Sequence, residues 1–308
     1  MNGPSPAPPP APPHRLVAAL QAWWREPRLT WWVLALLAGL LALRKPHALL
    51  APQFWAEDGS VFLIEQDQLG LAALFTPYMG YLHAIPRHVA WLAAHLFDPA
   101  WWPACYNGLA YAIWLAVFAR TFSPRLPLPH KPWLALLFFV GPQTGEILFN
   151  LTNVQWITAF VFIQQALIAR PQNWCQRLGD LALLAVVGLT GPFVVALLPL
   201  FAWRCWRDRH ADNFAALIVV SACAATQAWL IHRAQITFEH QHATFHFFNT
   251  LTVLSRRLLI WPAFGPTLAH DLPAIVICGL GVAFVVALFG AAWRPHPRRL
   301  LRLQLIAA

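Results

Sequence analysis

Apolar positions in this chain are gathered into long unbroken runs, without the spacing of an amphipathic helix or the alternation of a half-buried strand. The runs cover 29–43, 101–118, 133–149 (with Pro142 inside it), 154–169, 178–203, 214–231 and 272–293. Runs of this length and composition predict helices that cross a bilayer. The first run holds only 15 residues, about 22 Å at helical rise, so it must thin the bilayer or snorkel its flanks. The run 178–203 reads either as one tilted helix or as two short helices broken at Thr190-Gly191-Pro192.

Charge counting separates those two readings. With a cytoplasmic N-terminus and a broken pair, 15 of the 21 Lys and Arg residues fall on the inside and 6 on the outside. With a single span the later loops flip, and the split becomes 11 to 10. The positive-inside rule selects the broken pair, and the break must line a cavity or pack on protein. The expected fold is therefore an all-α polytopic membrane protein of about eight helical passages, two of them short, with both termini cytoplasmic. Residues 1–28 form a Pro-rich disordered tail and an interfacial segment, 29–293 a single transmembrane domain, and 294–308 a basic cytoplasmic tail. Two long outer loops follow, at 44–100 and 233–271, and eight of the twelve acids face outward.

Composition agrees with this placement. The 308 residues are 59% hydrophobic and 11% charged, far below the roughly 25% charge of soluble domains. An ordinary cytosolic enzyme and a disordered chain are both excluded. The net charge of +9 is accounted for by topology, so the implied partner is membrane lipid and not nucleic acid. The five Cys residues show no CxxC spacing and read as buried thiols.

Candidate chemistry lies on the outer side. Glu57-Asp58 follows the aromatic pair Phe54-Trp55. Vicinal carboxylates repel when both are ionised, which poises one as a base; a solvated turn at Asp58-Gly59 is the plainer alternative. Downstream, 71–75 and 89–97 read as short membrane-parallel helices joined by a turn holding Tyr78, Tyr81, His83 and Arg87. That turn suits a polar headgroup or phosphate, or is an interfacial hairpin. Glu146, Asn150, Asn153 and Gln155 place polar groups beside an apolar span, which is costly unless they face a cavity or each other. The second outer loop concentrates Glu239, His240, His242 and His246, a set capable of holding metal but without a zinc-site spacing. Arg256-Arg257 follows, suited to a lipid-linked phosphate or to ordinary anionic headgroups.

Taken together these features resemble the GT-C superfamily of integral membrane glycosyltransferases, which use polyprenyl-phosphate-linked sugars. The resemblance rests on the acidic pair Glu57-Asp58 in the first outer loop, on Pro86-Arg87-His88-Val89-Ala90-Trp91, and on Leu189-Thr190-Gly191-Pro192 with Leu198-Pro199. Thr190 stands where many relatives have Lys. The resemblance implies an inverting transferase at the outer face of a bacterial inner membrane. Asp58 (or Glu57) would be the general base, and Arg256, Arg257 and Arg87 would hold the donor phosphate. Tyr78, Tyr81, His83, Glu146, Asn150, Asn153 and Gln155 would contact substrate. A divalent ion would sit on the acidic pair with Glu239 or His240. Relatives continue beyond an eighth passage, so the end at Ala308 implies a truncated product or a minimal catalytic half. The rival expectation is a non-enzymatic transporter, lipid-linked-sugar flippase or assembly subunit, although neither an inverted repeat nor a mid-membrane run of ionisable groups is present.

Overall fold

In a computed structural model, the described residues are 27–128, 131–132, 134–135, 146–237, 252–253, 255–256, 260 and 271–293. Their regular elements are all helices, the one β-type pairing among them being a bridge between Tyr78 and Tyr81. In chain order the helices are α1 Pro27–Arg44, α2 His47–Leu50, α3 Ile64–Leu69, α4 Ala84–Leu96, α5 Trp102–Thr121 and α6 Val154–Leu167. They continue as α7 Trp174–Gly188, α8 Phe193–Arg207, α9 Ala211–Thr237 and α10 Ala274–Trp293. The apolar runs therefore become helices, and the stretch 178–203 is broken as the charge count requires. Both halves are longer than the runs themselves. Asn173 caps α7 by accepting from the Gln176 amide at 2.9 Å, and α8 runs on into its arginines. The expected passage at 133–149 lies mostly outside the described residues, as do the tails 1–26 and 294–308.

One described helix is long and apolar enough to cross a bilayer, over Ala211–Ala234; Thr30–Arg44, Val154–Leu167 and Ala274–Ala283 are apolar but shorter. Large apolar side chains stand exposed on α1, α9 and α10, among them Trp31, Trp32, Ile218 and Ile275.

The consecutive helices α6 to α9 run in alternating directions, as the cross-links at their ends show. At one pole the C-termini of α5, α6 and α8 meet the N-termini of α7 and α9. Arg125 pairs with Asp180 at 2.6 Å, Arg177 with Asp212 at 2.5 Å and Arg170 with Asp208. Arg204 donates to the Ile168 carbonyl at 2.7 Å, closing the end of α6. At the other pole the start of α6 and the junction of α7 and α8 meet the segment 78–87. The main apolar core lies between the poles, with Trp114, Phe118, Phe162 and Phe201 at its centre. A smaller core of Phe62, Ala90, Tyr106 and Leu151 seats residues 54–93 on α5.

The break at 190–192 has a steric cause. A Cβ on Gly191 would lie 2.7 Å from the Cβ of Gln155, so only glycine lets the α7–α8 junction touch α6. Thr190 is fully buried. Its hydroxyl donates to the Val186 carbonyl at 2.6 Å and accepts from the Ile85 amide at 3.3 Å. A lysine at this position would have no route to water.

Candidate functional site

Asp58 opens a π-helical turn, Asp58–Leu63, and is fully buried. Its Oδ1 accepts from the Thr152 amide and the Thr152 hydroxyl, both at 2.8 Å. Oδ2 accepts from the Leu151 amide at 3.1 Å. Three of the roughly four lone-pair positions of a carboxylate are therefore taken. Burial pushes its pKa up to about 6, against the three hydrogen bonds, and the neighbouring Glu57 charge adds to the rise. Glu57 is half-buried and keeps contact with solvent. The acidic pair thus divides into an enclosed anchor and an accessible carboxylate.

The aromatic hairpin lies against this pair. Tyr78 and Tyr81 bridge through their backbones at 3.0 and 3.1 Å. His83 stacks on Tyr81 with centroids 4.3 Å apart and touches Phe62 at 5.3 Å. Burial lowers the His83 pKa to about 4, and the Arg87 charge lowers it further, against a hydrogen bond with the Tyr81 carbonyl. The ring is neutral at physiological pH. Gly80 at φ +85° permits the turn, and a Cβ there would meet Ala234 of α9 at 2.7 Å.

Gln155 joins the hairpin to α6, its Nε2 donating to the Tyr81 hydroxyl at 3.1 Å. Gln227, wholly buried in α9, joins it to the broken pair. Its Oε1 accepts from the Leu82 amide at 2.9 Å, and its Nε2 donates to the carbonyls of Leu82 and Gly188, each at 3.2 Å. Four segments distant in sequence therefore meet at one pole: 54–58, 78–87, 146–155 and 188–191.

Several expected ligands are committed elsewhere. Arg87 lies on the first turn of α4 with no exposure. It pairs with Glu65 at 2.5 Å and sits over the Phe62 ring at 5.0 Å. In this conformation it is an interior partner of Glu65 and not the surface cation that a donor phosphate would meet. The helix starts earlier than the 89–97 reading, which draws Arg87 inward. Asn150 and Asn153 spend their amides within their own turn: both donate to the Glu146 carbonyl, and the Asn150 Oδ1 accepts from the Asn153 amide at 2.9 Å. They hold the turn that presents the Leu151 and Thr152 donors to Asp58. Glu146 is exposed at the rim. Arg256 is half-buried, while Arg257, Glu239 and His240 lie outside the described residues. Among the described residues, no three His, Cys, Asp or Glu side chains gather into a metal-holding group.

Sequence reasoning passed over Lys45, Asn107, Thr152 and Gln227. Lys45 directly follows α1, its Nζ donating to the Leu148 carbonyl at 3.0 Å and lying 4.9 Å from the Trp55 ring centre. Burial lowers its pKa, and attraction to Asp58 opposes that shift. Asn107 and Gln227 were legible in principle, because a lone amide in an apolar helix needs a partner. No family model, curated protein or solved structure matches the chain.

Proposed function

We propose that the chain is a polytopic membrane glycosyltransferase, which transfers a sugar from a polyprenyl-phosphate-linked donor at the pole that holds the acidic pair. The observation that carries this reading is the meeting of that pair with the aromatic hairpin, the 146–155 turn and the α7–α8 junction. A polytopic arrangement is supported by the alternating helix directions, by the apolar side chains exposed on α1, α9 and α10, and by the separation of the poles. Arg120, Arg125, Arg170, Arg177 and Arg204 gather at one end, where Asp180, Asp208 and Asp212 are paired with basic side chains. That is the distribution expected of a cytoplasmic face. The opposite pole then lies on the outer side of the membrane.

Access assigns the roles within the acidic pair. Glu57 takes the proton of the acceptor hydroxyl as its oxygen bonds to the anomeric carbon. The bond from that carbon to the phosphate oxygen breaks, and the lipid phosphate leaves. General base catalysis of this kind is worth roughly 10²–10⁴-fold in rate. Asp58 is a positioning residue: by binding Leu151 and Thr152 it fixes the backbone from which Glu57 projects. Arg256, with Arg257, meets the charge that builds on the departing phosphate.

The test is sugar transfer in proteoliposomes from a panel of polyprenyl-phosphate sugars, with Glu57→Gln and Asp58→Asn as controls. Transfer by the native chain, with a loss of 10²-fold or more in Glu57→Gln, is expected. Undiminished turnover in Glu57→Gln, or no transfer from any donor in the panel, overturns the reading.

A further inference from the structure

A cavity of about 380 Å³ opens beside the acidic pair, lined among others by Lys45, His47, Gln53, Trp55, Asn107 and Phe149. Its size falls at the low end of the roughly 300–1,000 Å³ range of small-molecule sites. It is walled by Lys45 just after α1, by α2, by residues 51–55 and by Asn107 of α5, and its Trp55 carbonyl accepts from the Asp58 amide at 2.7 Å. The site is therefore continuous with the backbone that carries Glu57 and Asp58.

The lining has a particular chemistry. Trp55 and Phe149 supply flat apolar surface, and His47 and Gln53 stand exposed at the mouth. Asn107 is 4% exposed. Its Nδ2 donates to the Ala48 carbonyl at 3.0 Å, while its Oδ1 has no hydrogen-bond partner among the described residues. A buried carbonyl oxygen without a donor destabilises the fold, and a ligand hydroxyl supplies what is missing. The Lys45 Nζ donates to the Leu148 carbonyl at 3.0 Å and lies against the Trp55 ring. Aromatic walls and amide groups fit a neutral, many-hydroxyl ring.

We infer that this cavity binds a monosaccharide unit, held by aromatic contact with Trp55 and Phe149 and by a hydroxyl donated to Asn107. The inference rests on the transferase reading of the acidic pair and deepens it, since the bound ring would be the acceptor whose hydroxyl faces that pair. Ala51 also lines the cavity and is exposed, so Ala51→Trp fills the space without entering the core. Gln53→Ala removes one polar group at the mouth.

The experiment is saturation-transfer NMR on the full chain in lipid nanodiscs, with a panel of neutral methyl hexosides and inorganic phosphate as the anionic comparison. At least one hexoside should show transfer to its ring protons. Ala51→Trp should weaken that binding at least tenfold, and Gln53→Ala about threefold. Phosphate should not displace the sugar. Equal binding by Ala51→Trp, displacement by phosphate, or no binding by any hexoside refutes the pocket. The two readings fail separately. Hexoside binding without sugar transfer keeps the pocket and removes the transferase. Sugar transfer by Ala51→Trp with an unchanged acceptor KM removes the pocket and keeps the transferase.

Discussion

Replacing Thr152 with Val tests the account of Asp58 most sharply. Threonine and valine have nearly the same shape, so the change deletes one donor and little else. The donor lost is the hydroxyl 2.8 Å from Oδ1. A hydrogen bond to a charged group is worth roughly 1.5–3 kcal/mol, and a pKa unit corresponds to about 1.4 kcal/mol, so the Asp58 pKa should rise by about 1–2 units. Starting from about 6, the carboxyl changes from mostly ionised at pH 7 to half or mostly protonated.

The sign for stability follows from the same shift. The folded-state pKa lies above the unfolded one, so the folded protein holds this proton more tightly. The contribution of Asp58 to stability is greatest below about pH 4 and is lost as pH rises to about 6. It is flat above that, the loss amounting to roughly 3 kcal/mol. In Thr152→Val the declining limb should extend to about pH 7–8. Difference infrared spectroscopy reads the protonated carboxyl directly, with Asp58→Asn as the spectrum lacking it. A band that titrates at the same pH in the native and Thr152→Val proteins refutes the reasoning, as does one already absent at pH 4.

Other substitutions probe the supports of the same pole. Gln227→Met strands the Leu82 amide and carbonyl in the interior and should lower stability by roughly 2–4 kcal/mol, measured by thermal unfolding in detergent. Gly191→Ala drives a methyl group into Gln155 and should cost roughly 1–3 kcal/mol. Gly39→Ala, where a Cβ meets nothing within 4 Å, should gain up to about 1 kcal/mol by helix propensity in the same assay. Arg87→Met keeps the packing on Phe62 but leaves the inward oxygen of Glu65 without its partner. It should lower stability by up to about 3–5 kcal/mol and leave sugar-transfer rates of the folded protein within twofold; a 100-fold loss of transfer would return Arg87 to the phosphate.

The architecture was legible because apolar runs and arginine placement act independently of detail. The break could be read from charge parity together with the Thr190-Gly191-Pro192 triplet that marks its place. Its cause, the contact of Gly191 with Gln155, depends on a neighbour 36 positions away and has no local signature. Within the site, the acidic pair stood out as a pair, but nothing in adjacent residue types distinguishes an enclosed carboxylate from an open one. That difference arises from the Leu151 and Thr152 amides and the Thr152 hydroxyl, all more than 90 positions away in sequence. Asn150 and Asn153 looked like ligands because polar groups beside a span need partners, and they found them in the backbone of their own turn. Arg87 was misplaced for a simpler reason: α4 begins before Pro86, and one extra turn of helix carries the guanidinium from the headgroup level into the core.

The two poles are fastened by different kinds of bond. One is held by uncharged amide-to-carbonyl clamps such as Gln227 and by one interior pair, Arg87–Glu65, whose guanidinium has no exposure to solvent ions. The other is held by guanidinium–carboxylate pairs, several of them partly open to solvent. Ions screen such pairs over about 8 Å at physiological strength and about 3 Å at 1 M, and they leave neutral clamps untouched. Concentrated salt should therefore slacken the bundle from the arginine end alone, with the acidic mouth the last part to lose its shape.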